Sequence, residues 1–170
     1  MKTVATVLAV GLTAAALSAM SDDDAFLETV SQAGMAEVEA GKMAERQGVS
    51  AEVREYGAMM VEHHGEANKK LAELAKSKGV ALPASAGEDN LASIKALQSQ
   101  EGARFDQAYV ASQVKAHEEA AQLLKSEIAN GQDLDAKAFA QELLPTVESH
   151  LKAAYHLAVQ DERAAVSQPQ

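Results

Sequence analysis

Residues 50–79 read SAEVREYGAMMVEHHGEANKKLAELAKSKG, and this stretch decides the fold. Val53, Gly57, Met60, His64, Ala67, Leu71 and Leu74 follow one another at alternating four- and three-residue steps. That spacing sets them along one stripe of an α-helix, with charged residues on the remaining faces. Ser50 is a suitable N-cap and Gly79 a suitable stop, which predicts a helix from about Ser50 to Lys78. His64 interrupts the apolar stripe near its middle.

Three further helical segments lie outward from this one. The first runs from about Asp23 to Gln47 and stops at Gly48. Another spans about Ala103 to Ala129, ended by Asn130-Gly131, and the last starts near Asp133 or Asp135 and runs to about Arg163. Ala, Leu, Glu, Lys and Gln dominate, Pro occurs only at positions 83, 145 and 169, and no period-two strand pattern is present. The chain therefore reads as all-α.

Connection lengths bear on topology. Gly48 to Ser50 and Asn130 to Gln132 are too short for anything but antiparallel hairpins. The stretch between Gly79 and Gly102 is long, contains Leu82-Pro83, and carries Leu91, Ile94 and Leu97 within a short helical segment, Asp89 to Gln100. A ferritin-like four-helix bundle is expected, with a long crossover between the second and third long helices bearing that extra helix. An up-down-up-down bundle with a decorated loop is the alternative. The bundle domain is expected over residues 21–165, with 166–170 as a frayed tail.

Residues 1–20 read as a secretory signal peptide: Lys2, an apolar stretch from Val4 to Leu17, and small residues at Ala16, Ser18 and Ala19. A membrane anchor is the competing reading, although the stretch is short for a span. Formal net charge is −10, and loss of Lys2 with the leader takes it to −11. Such a surface repels nucleic acid and anionic lipid, so no nucleic-acid partner is expected. No later stretch is apolar for long enough to cross a bilayer, so no stable membrane span is expected after leader removal. Cysteine is absent, which excludes disulfides, thiol catalysis, cysteine metal sites and lipoprotein anchoring. The expected location is periplasmic or secreted.

The inner stripes carry the functional signal. The last helix aligns Leu143, Val147, His150, Ala154 and Leu157; the third aligns Asp106, Val110, Gln113, His117, Ala120 and Leu124; the first aligns Phe26, Val30, Ala33, Glu37, Ala40 and Ala44. Each stripe thus holds a metal-ligating residue near its midpoint, and midpoints share a layer in a bundle whichever way the helices run. Glu37, His64, His117 and His150 are the expected ligands of one metal ion. Asp106, Tyr109 and Gln113, on one face of the third helix, would orient His117.

Buried polar groups at these positions must otherwise satisfy one another, so a purely structural hydrogen-bond layer is the competing reading. His63 and His156 fall off their stripes and are expected to be exposed. Met60 and His63, within Met59-Met60-Val61-Glu62-His63-His64, form a weaker metal-ligating set. A thioether–imidazole set favours copper, whereas Met60 as plain core filler is the simpler reading.

Val61, Val114 and Val147 occupy the position three residues before each inward histidine, where a di-iron carboxylate site needs Glu. Zinc or copper suits an imidazole-rich set better. No nucleophile elbow, phosphate loop, H-E-x-x-H or dinucleotide fingerprint is present, so no catalytic residue is assigned; a metal-dependent redox enzyme on the ferritin-like scaffold is the remaining enzymatic reading.

From Asp23 to Ala158 the sequence resembles a bacterial family of exported proteins known as domain of unknown function 4142. The likeness rests on Phe26-Leu27, Gly34-Met35-Ala36-Glu37-Val38-Glu39-Ala40-Gly41, and Met60-Val61-Glu62-His63-His64 with Asn68. It continues through Gly102-Ala103-Arg104-Phe105-Asp106, Tyr109, Gln113 and His117, and closes on Leu144-Pro145 and His150. His63 departs from it, standing where an acidic residue is expected. The resemblance implies a ferritin-like bundle in the periplasm or envelope and implies no particular activity.

Overall fold

The computed structural model describes residues 21–167 along the backbone and the side chains of residues 21–160. The leader expected over residues 1–20 and the last three residues of the expected tail lie outside the described residues. Five helices and no strand occur among the described residues: α1 (Asp22–Gln47), α2 (Ala51–Lys78), α3 (Glu88–Gln98), α4 (Ala103–Asn130) and α5 (Leu134–Ser167).

Local chemistry explains the boundaries. Ser21 caps α1 reciprocally: its hydroxyl accepts from the Asp24 N–H while the Asp24 carboxylate accepts from the Ser21 N–H. Ser50 accepts from the Val53 N–H at 3.1 Å to open α2. Gly79, at φ 70°, closes α2 in the left-handed conformation that glycine adopts without strain. Asp133 receives the N–H groups of Asp135 and Ala136 ahead of α5. α5 passes through Pro145, which has no N–H to offer, and continues to Ser167 instead of stopping at Arg163. Residues 166 and 167 of the expected tail are therefore helical.

α1 packs along α2 and α4 along α5, and the two hairpins meet through α1 against α4 and α2 against α5; α3 lies on α1 and reaches α4. At one end of the molecule the Asp106 carboxylate, in the first turn of α4, accepts from the N–H groups of Val49 (2.9 Å) and Ser50 (2.8 Å). At the other end Lys78, finishing α2, pairs with Asp133 and Asp135 at the start of α5, and Asp23 accepts from the Gln132 N–H. α2 and α4 thus begin at the same end and run parallel, and residues 79–102 return the chain along the bundle between them.

α1 and α2 approach closely where both lack side chains. A Cβ on Gly41 would stand 2.7 Å from the Gly57 carbonyl oxygen, and one on Gly57 would stand 2.7 Å from the Gly41 carbonyl oxygen. Two apolar clusters fill the interior. One, near the Asp106 end, contains Met43, Met60, Phe105, Tyr109 and Ala154; the other contains Leu27, Leu71, Leu124, Ala140 and Val147. Between them, every long helix places a polar residue: Glu37, His64, His117 and His150 all sit in the gap and all are buried.

Candidate metal centre

His64, His117 and His150 come together as the stripe spacing requires. Each can present one ring nitrogen such that the three atoms lie within 4.8 Å of one another. Ring centroids are 5.3–5.5 Å apart for all three pairs. His117 and His150 are each only 1% exposed. Burial holds all three rings neutral at physiological pH: His64 is pushed down to about 3, His117 to about 4 and His150 to about 3. The neighbouring histidines depress His64 and His150 further, while the Gln113 backbone bond opposes the shift of His117. Neutral imidazole is the metal-ligating form.

With neutral rings, the hydrogen bonds fix the tautomers of His117 and His150. A carbonyl oxygen only accepts, so His117 donates Nδ1–H to the Gln113 carbonyl at 2.9 Å and keeps its lone pair on Nε2. His150 then donates Nδ1–H to His117 Nε2 at 3.3 Å. The remaining lone pair of His150, on Nε2, accepts from His63 Nδ1–H at 2.8 Å. Outside this chain, His64 Nε2 is buried without a hydrogen-bond partner. An unpaired buried ring nitrogen, N–H or lone pair, costs free energy unless something meets it.

His63 corrects one sequence expectation. It lies half-buried with its ring stacked on His150, centroids 5.1 Å apart, rather than exposed. One residue from His64 is a turn of about 100° around the helix, and that face of α2 meets α5. The stripe pattern followed the bundle axis and ignored this neighbour. His156 is exposed, as expected.

Glu37, expected as the fourth ligand, is buried in the same layer but stands outside the group of three converging nitrogens, and its Oε2 accepts from Gln113 at 2.8 Å. Burial raises it to about 7, against the opposing hydrogen bond from Gln113. Gln113 thereby ties α1 to the His117 region, through its amide to Glu37 and its carbonyl to His117. Tyr109 stacks on Phe105 and meets Tyr56 edge-on, with its hydroxyl unpaired. Tyr56 donates to the His150 backbone carbonyl at 3.2 Å. Burial and the charge of Glu37 push both phenols upward, so they remain protonated. Tyr56 lies one residue before Gly57 and off the α2 stripe, so the spacing does not mark it. Met60 packs in the apolar cluster at the Asp106 end.

Asp106 is the second correction. It shares the α4 stripe with His117, yet eleven residues at about 1.5 Å each set it roughly 16 Å away along the axis. Its carboxylate is spent on the Val49 and Ser50 N–H groups and does not orient a histidine.

The family model described as "Domain of unknown function (DUF4142)" matches residues 9–157, and the chain belongs to that family. No curated protein and no solved structure matches it.

Proposed function

We propose that this DUF4142 member is an exported ferritin-like helical protein that holds one transition-metal ion in its core, through His64, His117 and His150 with Glu37 as the accompanying carboxylate. The observation carrying this reading is the spacing of nitrogen atoms around a buried orphan. His117 Nε2 and His150 Nδ1 are 3.3 Å apart. Two imidazole ligands at about 2.05 Å from a tetrahedral ion stand about 3.3–3.4 Å from each other. His64 Nε2, buried and unpaired, offers a third lone pair in the Nδ1–H tautomer without breaking any existing bond. Glu37, His64 and His117 also line one cavity.

The ion would replace the His117–His150 hydrogen bond. His150 would then carry its proton on Nε2 and donate it to His63, and His117 would keep its bond to Gln113. Both ligands would retain the outer hydrogen-bond partners typical of metal-bound histidine. Imidazole suits zinc or copper. A di-iron oxidase lacks its carboxylates, since Val61, Val114 and Val147 stand in place of Glu and Asp106 is committed elsewhere.

The parallel course of α2 and α4, and the pairing of α1 with α4 and α2 with α5, support the ferritin-like order over the up-down-up-down alternative. Residues 1–20 support export to the periplasm or beyond, and the acidic surface disfavours nucleic acid.

Elemental analysis of the purified protein, together with melting in the presence of added zinc or copper, tests the reading. One equivalent of metal is expected, with a melting temperature that climbs as free metal exceeds the dissociation constant. Sub-stoichiometric metal with unmoved melting overturns it. The continuous chain from Gln113 to His63 favours a second reading, in which the layer is only a hydrogen-bond network. That reading requires His64→Ala to lower the stability of metal-free protein without altering any metal affinity.

A further inference from the structure

A cavity of about 330 Å³ opens between α1 and α4, on the side of the histidine layer away from His63. Small side chains create it: Ala33 and Ala36 on one wall, Ala116 and Ala120 on the other. Leu124 and Val147 add apolar surface, and Glu37, His64 and His117 form the polar floor. The Asn68 amide is set into the wall where α1 has no side chain, since a Cβ on Gly34 would stand 2.0 Å from its Oδ1.

Charge on the walls narrows what fits. No Lys or Arg lines the cavity, and its acids are Glu37 in the depth and Glu119 on the rim. An anion would enter without a counter-cation and against carboxylates, in a largely apolar space. An ammonium would bring three donors to a floor with one carboxylate, whose Oε2 already accepts from Gln113, and would leave donors unpaired against apolar walls. A hydroxyl has a better match: it donates to an unpaired imidazole nitrogen and accepts from a carboxamide. An apolar cavity of about 150 Å³ takes up benzene, so this larger one has room for a ring and a short substituent.

We infer that the α1–α4 cavity binds a small uncharged amphiphile, a monocyclic phenol or alcohol with a short apolar substituent, whose hydroxyl meets the histidine layer. Cavity binding goes beyond the metal centre: in the metal-free protein the hydroxyl meets the His64 imidazole that the proposed ion would otherwise engage.

The test is a titration of the purified, metal-stripped protein with 4-ethylphenol, 4-ethylbenzoate and 4-ethylbenzylamine, followed by amide chemical shifts and calorimetry. Ethylphenol is expected to saturate, with affinity at least about tenfold above either charged probe. Its shift changes should fall on Ala33, Asn68 and Ala116. Ala33→Leu and Ala116→Leu, which fill the walls and leave the histidines intact, should each weaken it about tenfold or more. No saturable binding overturns the inference. So does equal or tighter binding of a charged probe, a shift pattern elsewhere in the wild-type protein, or Leu variants that fold and bind unchanged. Failure of zinc to bind would remove the metal reading and leave this one standing.

Discussion

The Asp106 end of the molecule and its histidine layer are both buried and polar, but they are completed differently. Asp106 uses both carboxylate oxygens on the N–H groups of Val49 and Ser50, so neither oxygen of that carboxylate awaits a partner. In the histidine layer His64 Nε2 is unpaired, and Gln113 Oε1, beside Glu37, is unpaired too. A satisfied buried polar group specifies how helices meet. An unsatisfied one is a cost that folding alone does not explain. The contrast separates a structural polar contact from a candidate site more sharply than burial or residue type does.

The largest expected effect breaks the contrast from the site's side. His64→Ala should lower zinc affinity on the order of 10³-fold, about 4 kcal/mol, measured by competition with a chelating dye. In metal-free protein the same variant should stay within about 1 kcal/mol of the parent, because no hydrogen bond to Nε2 is lost. Next in size, Asp106→Ala should cost about 3 kcal/mol by stranding two N–H groups bonded to a carboxylate. Its melting temperature should fall by about 6–12 °C, with zinc stoichiometry unchanged. Comparable metal-free losses in these two variants would erase the distinction.

His63→Ala sharpens the comparison within the site. It removes the partner of His150 Nε2 while leaving the three converging nitrogens, and should weaken zinc binding about 10–100-fold. The smallest effect concerns Glu127, buried near the Asp23 end with Oε1 unpaired. Burial first, then the hydrogen bond and charge of Asp23 and the charge of Asp133, raise it to about 7 from 4.5. The folded state holds that proton where the unfolded chain has released it. The stabilisation is therefore complete below about pH 4.5 and is lost as pH rises through about 7. Glu127→Gln should remove this slope, gaining on the order of 1 kcal/mol at pH 8 and nothing at pH 4, as followed by denaturant melts. Parallel pH profiles for variant and parent would contradict the assignment.

Much of this was legible in the residues. Helix boundaries followed from Ser50, Gly79 and Asn130-Gly131, and the position of the layer followed from midpoints on regular stripes. What the stripes do not encode is the second neighbour of each helix. His63 faces α5, a relation set by tertiary pairing, so its bond to His150 left no periodic trace. Asp106 was misplaced for a different reason: a shared face fixes angle around a helix but not height along it. Its N–H partners become visible only once α2 and α4 are known to begin at the same end.

The contact between Gly41 and Gly57 acts at a distance. His64 lies seven residues beyond Gly57 on α2, about 10 Å or two turns along the same helix. Restoring a single carbon at either glycine would push α2 off α1, and the displacement would carry down a stiff rod to the imidazole. The bore of the histidine cage is thus gauged by two missing methyl groups that never touch it. On the proposed metal reading, substitution at these glycines should change the size of ion that binds, with stability following second.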